Sequence, residues 1–478
     1  MSRRLLLALL AALVLSPSPA LAATPEVGIA DDRVLLAGGP QAASAVAQWR
    51  ALGVDTVRIF ALWSRHAPAA RPPGFDPADP AGYNWWPLDE AVDRVRAAGM
   101  DVMLTVTGPG PRWSSRSPGR GQPVYRPDPR AYAGFAAAVA TRFGTRVDRY
   151  VLWNEPNLAA WLAPQARCRR GRCTPVSPHL YRGLVRAAYP AVRAADRGAQ
   201  VLIGAVSPRG QDLRRPNANL RPLAFVRALG CRSASGRRIR SGDCRGFRPA
   251  KGDGFAIHPY GGLTPPDRGL AHRDDVNLAE LGDLTATLDR LQRRGALRAT
   301  TRRLGVFVDE YGYQTNPPDR AAGVSPRTQD RWLQRAAYEA WRNPRVKLLT
   351  QYLWRDEPRT DDGYGGWQSG LRTAGGRAKP SLAHFDTPFV VDGRRGRLWG
   401  QVRPGGAHRV TVERRLRGGS WRRLARVRTD GRGVWTVRRR VVAGARYRYR
   451  AGGMRSAVAL VSRGSAPRDP AAPRSART

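Results

Sequence analysis

Two glutamates end apolar runs in this chain and could share one bond between them. Glu155 follows Tyr150-Val151-Leu152-Trp153 in the stretch RYVLWNEPNLAAW, and Glu310 ends a second run in FVDEYGYQT. A carboxylate among apolar neighbours is costly to bury without partners, so each needs a reason to be there. Paired carboxylates flanking a single bond are what glycoside hydrolysis requires: one protonates the leaving oxygen, and the other attacks or supports the developing cation. Further residues of chemical character end other apolar runs. They are Arg58 in DTVRIF, Asn154 beside Glu155, His258 and Tyr260 in IHPYGG, and Trp354 in QYLWRDE. Asp309 adjoins Glu310, but neighbouring side chains alternate along a strand. With Leu304, Val306 and Val308 on the face of Glu310, Asp309 is expected to point to an outer helix layer. Flat side chains are the second signal, because sugar rings present apolar C–H faces that stack on them. Trp113, Trp161 and Trp367 fall in loops and are candidate platforms, whereas Trp49, Trp332 and Trp341 fall in helical patterns and read as core.

The elements that must position these residues alternate. Apolar strand-like runs at 27–30, 56–62, 101–107, 150–153, 201–206, 254–258, 304–309 and 348–353 are separated by amphipathic stretches such as PLDEAVDRVRAAG and TQDRWLQRAAYEAWRN. Runs that are continuously apolar rather than alternating belong in a parallel sheet buried on both faces. Eight of them with crossover helices predict a (β/α)8 TIM barrel over residues 23–386, with the chemistry at the carboxyl-terminal rim. A doubly wound open sheet is the alternative, but no G-x-G-x-x-G follows the first run. Beyond Phe385 the pattern changes to short β-branched and aromatic runs split by Gly or Asp-Gly turns, among them RLWGQV, HRVTVERRL and GVWTVRRRV. Residues 387–462 therefore predict an all-β, immunoglobulin-like sandwich, and the Arg- and Pro-rich residues 463–478 predict a disordered basic tail.

Residues 1–22 read as a signal peptide: Arg3 and Arg4, an apolar stretch too short to span a bilayer, and the small-residue site Ala20-Leu21-Ala22. The mature chain is expected to be secreted, with no transmembrane segment. Four cysteines fall in two local pairs, Cys168 with Cys173 and Cys231 with Cys244. In an oxidising compartment each pair closes a loop as the favoured pairing. Zinc is the competing reading, but no His stands at ligand spacing in the sequence near either pair. No metal and no cofactor are expected.

The formal charge is +44, and of the 81 basic residues only Lys251, Lys347 and Lys379 are lysine. Arginine spread through the chain reads as composition rather than a nucleic-acid surface, so no specific nucleic-acid partner is expected. Residues 387–478 nonetheless carry 24 Arg against 4 acids, so an anionic polymer or cell-surface contact through that end stands as a second reading.

Asn-Glu-Pro after one apolar strand, with a second Glu ending a distant one and Arg, His-x-Tyr and Trp at strand ends in order, resembles the clan A glycoside hydrolases, most closely families 5 and 39. The resemblance covers roughly residues 25–385. It implies that Glu155 is the acid/base and Glu310 the nucleophile of a retaining, double-displacement mechanism. It further implies that Asn154 holds a sugar hydroxyl, that Arg58 and Tyr260 hydrogen-bond the nucleophile, that His258 lines the site, and that Trp354 floors the subsite where the bond breaks. One departure stands out: family 5 members carry a His at the end of the third strand, where this chain has Thr107-Gly108-Pro109-Gly110. The expected function is hydrolysis of an O-glycosidic, β-type bond in a poly- or oligosaccharide; the alternative is a non-catalytic carbohydrate-binding protein on the same scaffold.

Overall fold

The computed structural model describes residues 24–120, 124–358 and 366–461. The expected signal peptide and basic tail lie outside the described residues.

Eight strands close a barrel: β1 (Glu26–Ala30), β2 (Thr56–Leu62), β3 (Asp101–Thr107), β4 (Arg149–Leu152), β5 (Gln200–Val206), β6 (Gly254–Ile257), β7 (Gly305–Tyr311) and β8 (Val346–Tyr352). Each pairs in parallel with its neighbour in the sequence, and β1 closes on β8 with Glu26 opposite Leu348. The continuous apolar runs are explained by burial on both faces. Met103, Val151, Leu202, Ala205, Ala256, Phe307 and Leu348 fill the barrel interior. Their strand neighbours, such as Val102, Leu104, Val306 and Val308, pack outward in the core shared with the helices. Each such side chain contributes roughly 1.5–3 kcal/mol of transfer free energy.

Seven helices of eight residues or more surround the barrel among the described residues: α1 (Gly39–Ala51), α2 (Leu88–Ala97), α3 (Pro129–Phe143), α4 (Ser177–Ala195), α5 (Pro222–Leu229), α6 (Leu281–Arg293) and α7 (Pro326–Arg342). Local chemistry starts them. Asp128 accepts the N–H groups of Arg130 and Ala131 ahead of Pro129, and Ser325 accepts that of Thr328 ahead of Pro326. A cap oxygen followed by proline satisfies the free donors of the first turn and pre-sets its backbone. Apolar positions then recur every three or four residues, as with Ala42, Ala45, Val46 and Trp49 of α1.

Among the described residues no helix follows β8 except the short turns Leu382–His384 and Gly393–Arg395. Two antiparallel sheets come instead. One has the order β9 (Phe389–Asp392), β10 (Arg397–Gln401), β13 (Val434–Arg438). The other joins β12 (Arg422–Arg428), β11 (Arg409–Arg415) and β14 (Arg446–Ala451), extended by two short edge pieces. Between them lie Phe389, Leu398, Trp435, Val410, Val412, Tyr447 and Tyr449, so the sheets face each other as a sandwich. The outer face of the three-stranded sheet is partly covered by the barrel, while Thr436 and Arg438 on it stay exposed. Val390, Trp399 and Val434 pack on Ala337 and Tyr338 of α7, with Trp341 and Leu349 alongside. On the opposite flank Arg432 pairs with Asp55 at 2.8 Å, and Gly53, just after α1, lies against Arg403 and Pro404. The sandwich thus covers the barrel between α7 and α1, where an eighth helix would lie.

Both disulfides pair locally. Cys168–Cys173 clips the hairpin Ala166–Arg169/Arg172–Pro175 in the loop after β4, and Cys231–Cys244 closes the segment after α5.

Candidate active site

The chain turns sharply at the end of β4. Trp153 has φ 73° and Glu155 φ 37°, both in the left-handed region that costs L-residues roughly 1–2 kcal/mol each. Neighbouring strands offset that cost. The Trp153 N–H donates to Val106 O, its ring N–H to Trp161 O, and the Glu155 N–H to Ala205 O. Asn157 then ties the loop down, donating to Ser207 O and Leu220 O and accepting from the Ser207 N–H. The Trp153 ring lies over the end of β3, where a Cβ on Gly108 would come within 2.4 Å of it. The indole thus occupies the space beside the backbone at position 108, which leaves no room there for a side chain.

The end of β7 corrects one expectation. Phe307 faces the barrel interior while Val306 and Val308 face the helices, so alternation assigns Asp309 to the inside and Glu310 to the outside. A register shift between Val308 and Tyr311 against β8 breaks the alternation, as an extra residue in a strand does. Both carboxylates consequently face inward. Asp309 is fully buried, 3.6 Å from Arg58 Nε and 3.4 Å from His258 Nε2. It does not point to the helix layer.

Six of the residues singled out in the sequence meet here. Arg58, buried on β2, spreads its guanidinium over three partners: Nη1 donates to Glu310 Oε1 at 2.5 Å, Nη2 to Asn154 Oδ1 at 2.9 Å, and Nε to Thr105 Oγ1 at 2.9 Å. The bond to Oδ1 leaves the Asn154 NH2 as the free end of that amide. The Tyr260 hydroxyl donates to Glu310 Oε2 at 3.0 Å. His258 is buried, with Nδ1 3.0 Å from Glu155 Oε1 and 3.4 Å from Glu310 Oε2. Burial alone would push its pKa down; the Glu310 and Asp309 carboxylates outweigh it and raise the value to about 10. Burial and Glu310 push the Tyr260 phenol well above its ordinary range, so it remains an O–H donor. Asp32, just beyond β1, accepts the Phe60 N–H at 2.8 Å, and burial raises it to about 6 against the lowering effects of that bond and of Arg58.

Aromatic rings flank the carboxylates on two sides. Trp367, 44% exposed, stacks on Tyr260 with centroids 5.6 Å apart and meets Tyr352 edge-on at 5.9 Å. Trp161 stacks on Phe60 at 5.9 Å, and Phe60 in turn lies under the Arg58 guanidinium. Two expected platforms are elsewhere. Trp354 is 2% exposed and packs edge-on to Trp49 of α1 with Arg372 over its face. Leu353 adopts φ 73°, and Asp31 takes the N–H groups of Trp354 and Arg355, so the chain turns away from the barrel mouth. Tyr352, in phase with the interior Leu348, presents the ring that Trp354 was expected to supply. Trp113 joins an aromatic cluster with Trp63 and Phe75, its ring N–H bonded to Pro68 O, and has no contact with the carboxylate group. Trp49 is core as expected, while Trp332 and Trp341 are partly buried against Tyr313 and Tyr338.

Among the described residues one His/Cys/Asp/Glu grouping lies within metal-ligand range, His179 with Cys231 and Cys244. Both sulfurs belong to a disulfide and offer no thiolate.

No family model matches the chain. A β-glucosidase from an Agrobacterium species is 31% identical over 121 residues, and the match spans 23% of each protein's length. Among solved structures, a glucosidase from Croceicoccus marinus has a TM-score of 0.49 at 13% identity, covering 88% of this chain and 94% of that one. A family 39 β-xylosidase from Caulobacter crescentus has a TM-score of 0.48 at 14% identity, covering 87% and 94%. A family 5, subfamily 18 protein from Streptomyces cattleya in complex with GlcNAc has 0.47 at 18%, covering 76% and 78%.

Proposed function

We propose that this chain is an exported glycoside hydrolase that retains anomeric configuration, with Glu310 as nucleophile and Glu155 as acid/base. One observation carries the reading: a single imidazole nitrogen, His258 Nδ1, touches Glu155 at 3.0 Å and Glu310 at 3.4 Å. A shared contact of this length keeps the facing oxygens no farther apart than the lower edge of the about 6.5–9.5 Å carboxyl separation of an inverting pair, which favours the about 5–5.5 Å of a retaining one. Arg58 and Tyr260 hold both oxygens of Glu310, and charge-assisted bonds of this kind favour and orient the ionised form.

In the first step Glu310 attacks the anomeric carbon while Glu155 gives its proton to the departing oxygen, and the glycosidic C–O bond breaks. In the second, Glu155 takes a proton from water, the water oxygen attacks the same carbon, and the ester to Glu310 breaks. The free Asn154 NH2 is placed to meet a ring hydroxyl, and Trp367 and Trp161 offer faces for flanking sugars. β-Linked glucosides and xylosides are the substrates to try first, since proteins similar to this one carry those activities in their names. Two disulfides suit an oxidising compartment, and no described helix is long and apolar enough to cross a membrane.

The test follows the anomeric signal by NMR during hydrolysis. A first-formed product of retained configuration is expected, and one of inverted configuration sinks the mechanism. Glu310→Ala should abolish turnover, with added azide restoring an inverted product. Glu155→Ala should lose about 10²–10⁴-fold on poor leaving groups and far less on activated aryl glycosides, which need little protonation. Glycan binding without release of any sugar would establish the carbohydrate-binding alternative instead.

A further inference from the structure

We propose that Asp309 is a positioning residue that acts through His258, holding the imidazole as a cation that Glu155 and Glu310 share in turn. The inference rests on the two-glutamate reading above and deepens it.

Asp309 is fully buried, and neither of its oxygens has a hydrogen-bond partner among the described residues. What it faces are two cations at ion-pair distance, Arg58 Nε at 3.6 Å and His258 Nε2 at 3.4 Å. An isolated ionised carboxylate cannot be kept in such a place, so its charge must be matched by these groups. His258 Nε2 is otherwise unpartnered, which makes Asp309 the acceptor that fixes a proton there. The other ring nitrogen then carries the second proton, between Glu155 at 3.0 Å and Glu310 at 3.4 Å.

Charge balance over the two chemical steps gives this arrangement its use. The groups facing one another are Arg58 from β2, Glu155 beyond β4, His258 and Tyr260 beyond β6, and Asp309 and Glu310 from β7, with Tyr352 of β8 edge-on to Tyr260 and Asp32, beyond β1, in the field of Arg58. Before attack, Arg58 and imidazolium face ionised Asp309 and Glu310, with Glu155 carrying the proton it will deliver. After attack, Glu310 is a neutral ester and Glu155 is ionised. One negative charge moves from Glu310 to Glu155 while Arg58, Asp32, Asp309 and His258 keep theirs, so the net charge is the same in both states provided that Asp309 stays charged and His258 stays protonated. The Nδ1–H, held between the two carboxylates, stays within reach of whichever of them carries the charge. With a neutral residue at 309 the imidazolium loses the anion that faces its Nε2. His258 then holds its proton less tightly, and once that proton is gone Nδ1 has nothing to donate to Glu155 when Glu155 is ionised after attack. The raised pKa of His258, for which Glu310 and Asp309 are the leading raising influences, agrees with this assignment.

The variant is Asp309→Asn, similar in size and uncharged, and the readout is the ¹⁵N NMR titration of histidine-labelled protein, with His258 assigned by loss of its signal in His258→Gln. Unmodified protein should show both His258 nitrogens protonated up to pH 8. Asp309→Asn should move the titration down by at least about one pH unit, a tenfold change in proton affinity. A neutral His258 at pH 7 in the unmodified protein overturns the proposal without any variant, as does an unchanged titration in Asp309→Asn. These signals exist whether or not the protein hydrolyses glycosides, so failure of the glycosidase reading and failure of this one are told apart. On a glycoside that is turned over, Asp309→Asn should lower kcat about tenfold or more with KM little changed, since the charge matters when the proton moves. The same variant placed on His258→Gln should add almost nothing. An equal further loss there would mean that Asp309 does not act through His258.

Discussion

Glycine at 108 and tryptophan at 153 occupy the same few ångströms, and the candidate acid/base sits two residues from that contact. A methyl at 108 must displace the indole, and overpacking of this sort costs about 1–3 kcal/mol. Gly108→Ala should therefore lower the thermal midpoint and the turnover together, because Trp153 anchors the turn that aims Asn154 and Glu155. Gly119→Ala, with open space around its Cβ, should change neither; calorimetry beside a rate assay checks both. Asp32 supplies a pH prediction of its own. Its folded pKa of about 6 lies above the ordinary 3.8, so ionising it opposes folding, and that penalty grows as pH rises from about 4 to 6. Asp32→Asn should remove this part of the slope in urea melts at pH 4, 5, 6 and 7; an identical slope in both proteins refutes it. At this scale much was legible: Arg58, Asn154, Glu155, His258, Tyr260 and Glu310 are chemical residues at the ends of apolar runs, and they converge. Asp309 and Tyr352 were not, since the irregularity in β7 and the left-handed Leu353 shift which neighbour faces inward, and no residue type in the sequence marks either shift.

The elements themselves were legible wherever burial imposes a pattern. All eight barrel strands fall within a few residues of their apolar runs, because a strand buried on two faces leaves an uninterrupted signature. The clipped hairpin after β4 was not read, being short, Arg-rich and largely exposed. Nor was the missing eighth helix, since the flank is covered by strands from a part of the chain whose pattern says nothing about where it docks. That docking changes what truncation should do. The chemical groups all lie before residue 387, so removal of residues 387 onward leaves them in the chain. Yet the cut bares Ala337, Tyr338 and Leu349, which Val390, Trp399 and Val434 cover. Trp399→Ala should cost about 3–5 kcal/mol, the range for large core truncations. Calorimetry of the unmodified chain should give one cooperative transition that includes the barrel. Two well-separated transitions, with the barrel unaffected by Trp399→Ala, would instead make the sandwich an independent unit with a clean boundary at 386/387.

Across the whole molecule, charge is handled differently in its two parts. Barrel arginines repeatedly find carboxylates, as in Arg149–Glu26, Arg142–Asp89 and Arg227–Asp274, whereas the last 92 residues hold only 4 acids for 24 arginines. Surface pairs of that kind are worth little singly, so the buried cluster should dominate the alkaline pH dependence. His258 has a folded pKa of about 10 against an ordinary 6.5. Its stabilisation is then complete below about pH 6.5 and is lost as pH rises through 10. Urea melts from pH 6 to 10 should show the advantage of the unmodified protein over His258→Gln shrinking by a few kcal/mol; a constant gap would contradict the assignment. The covering of the barrel flank by its last strands also governs the order in which the fold can be completed. β1 hydrogen-bonds to β8, and the apolar strip between α7 and α1 waits for strands that end at Arg438. Contacts so distant along the chain make folding slow and late, and domains that emerge from synthesis gradually cannot close before their final pieces arrive. For a chain whose first 22 residues read as an export signal, lateness is an asset. A polypeptide that stays open until nearly all of it has been made can still be threaded through a membrane pore, which is what the proposed export requires.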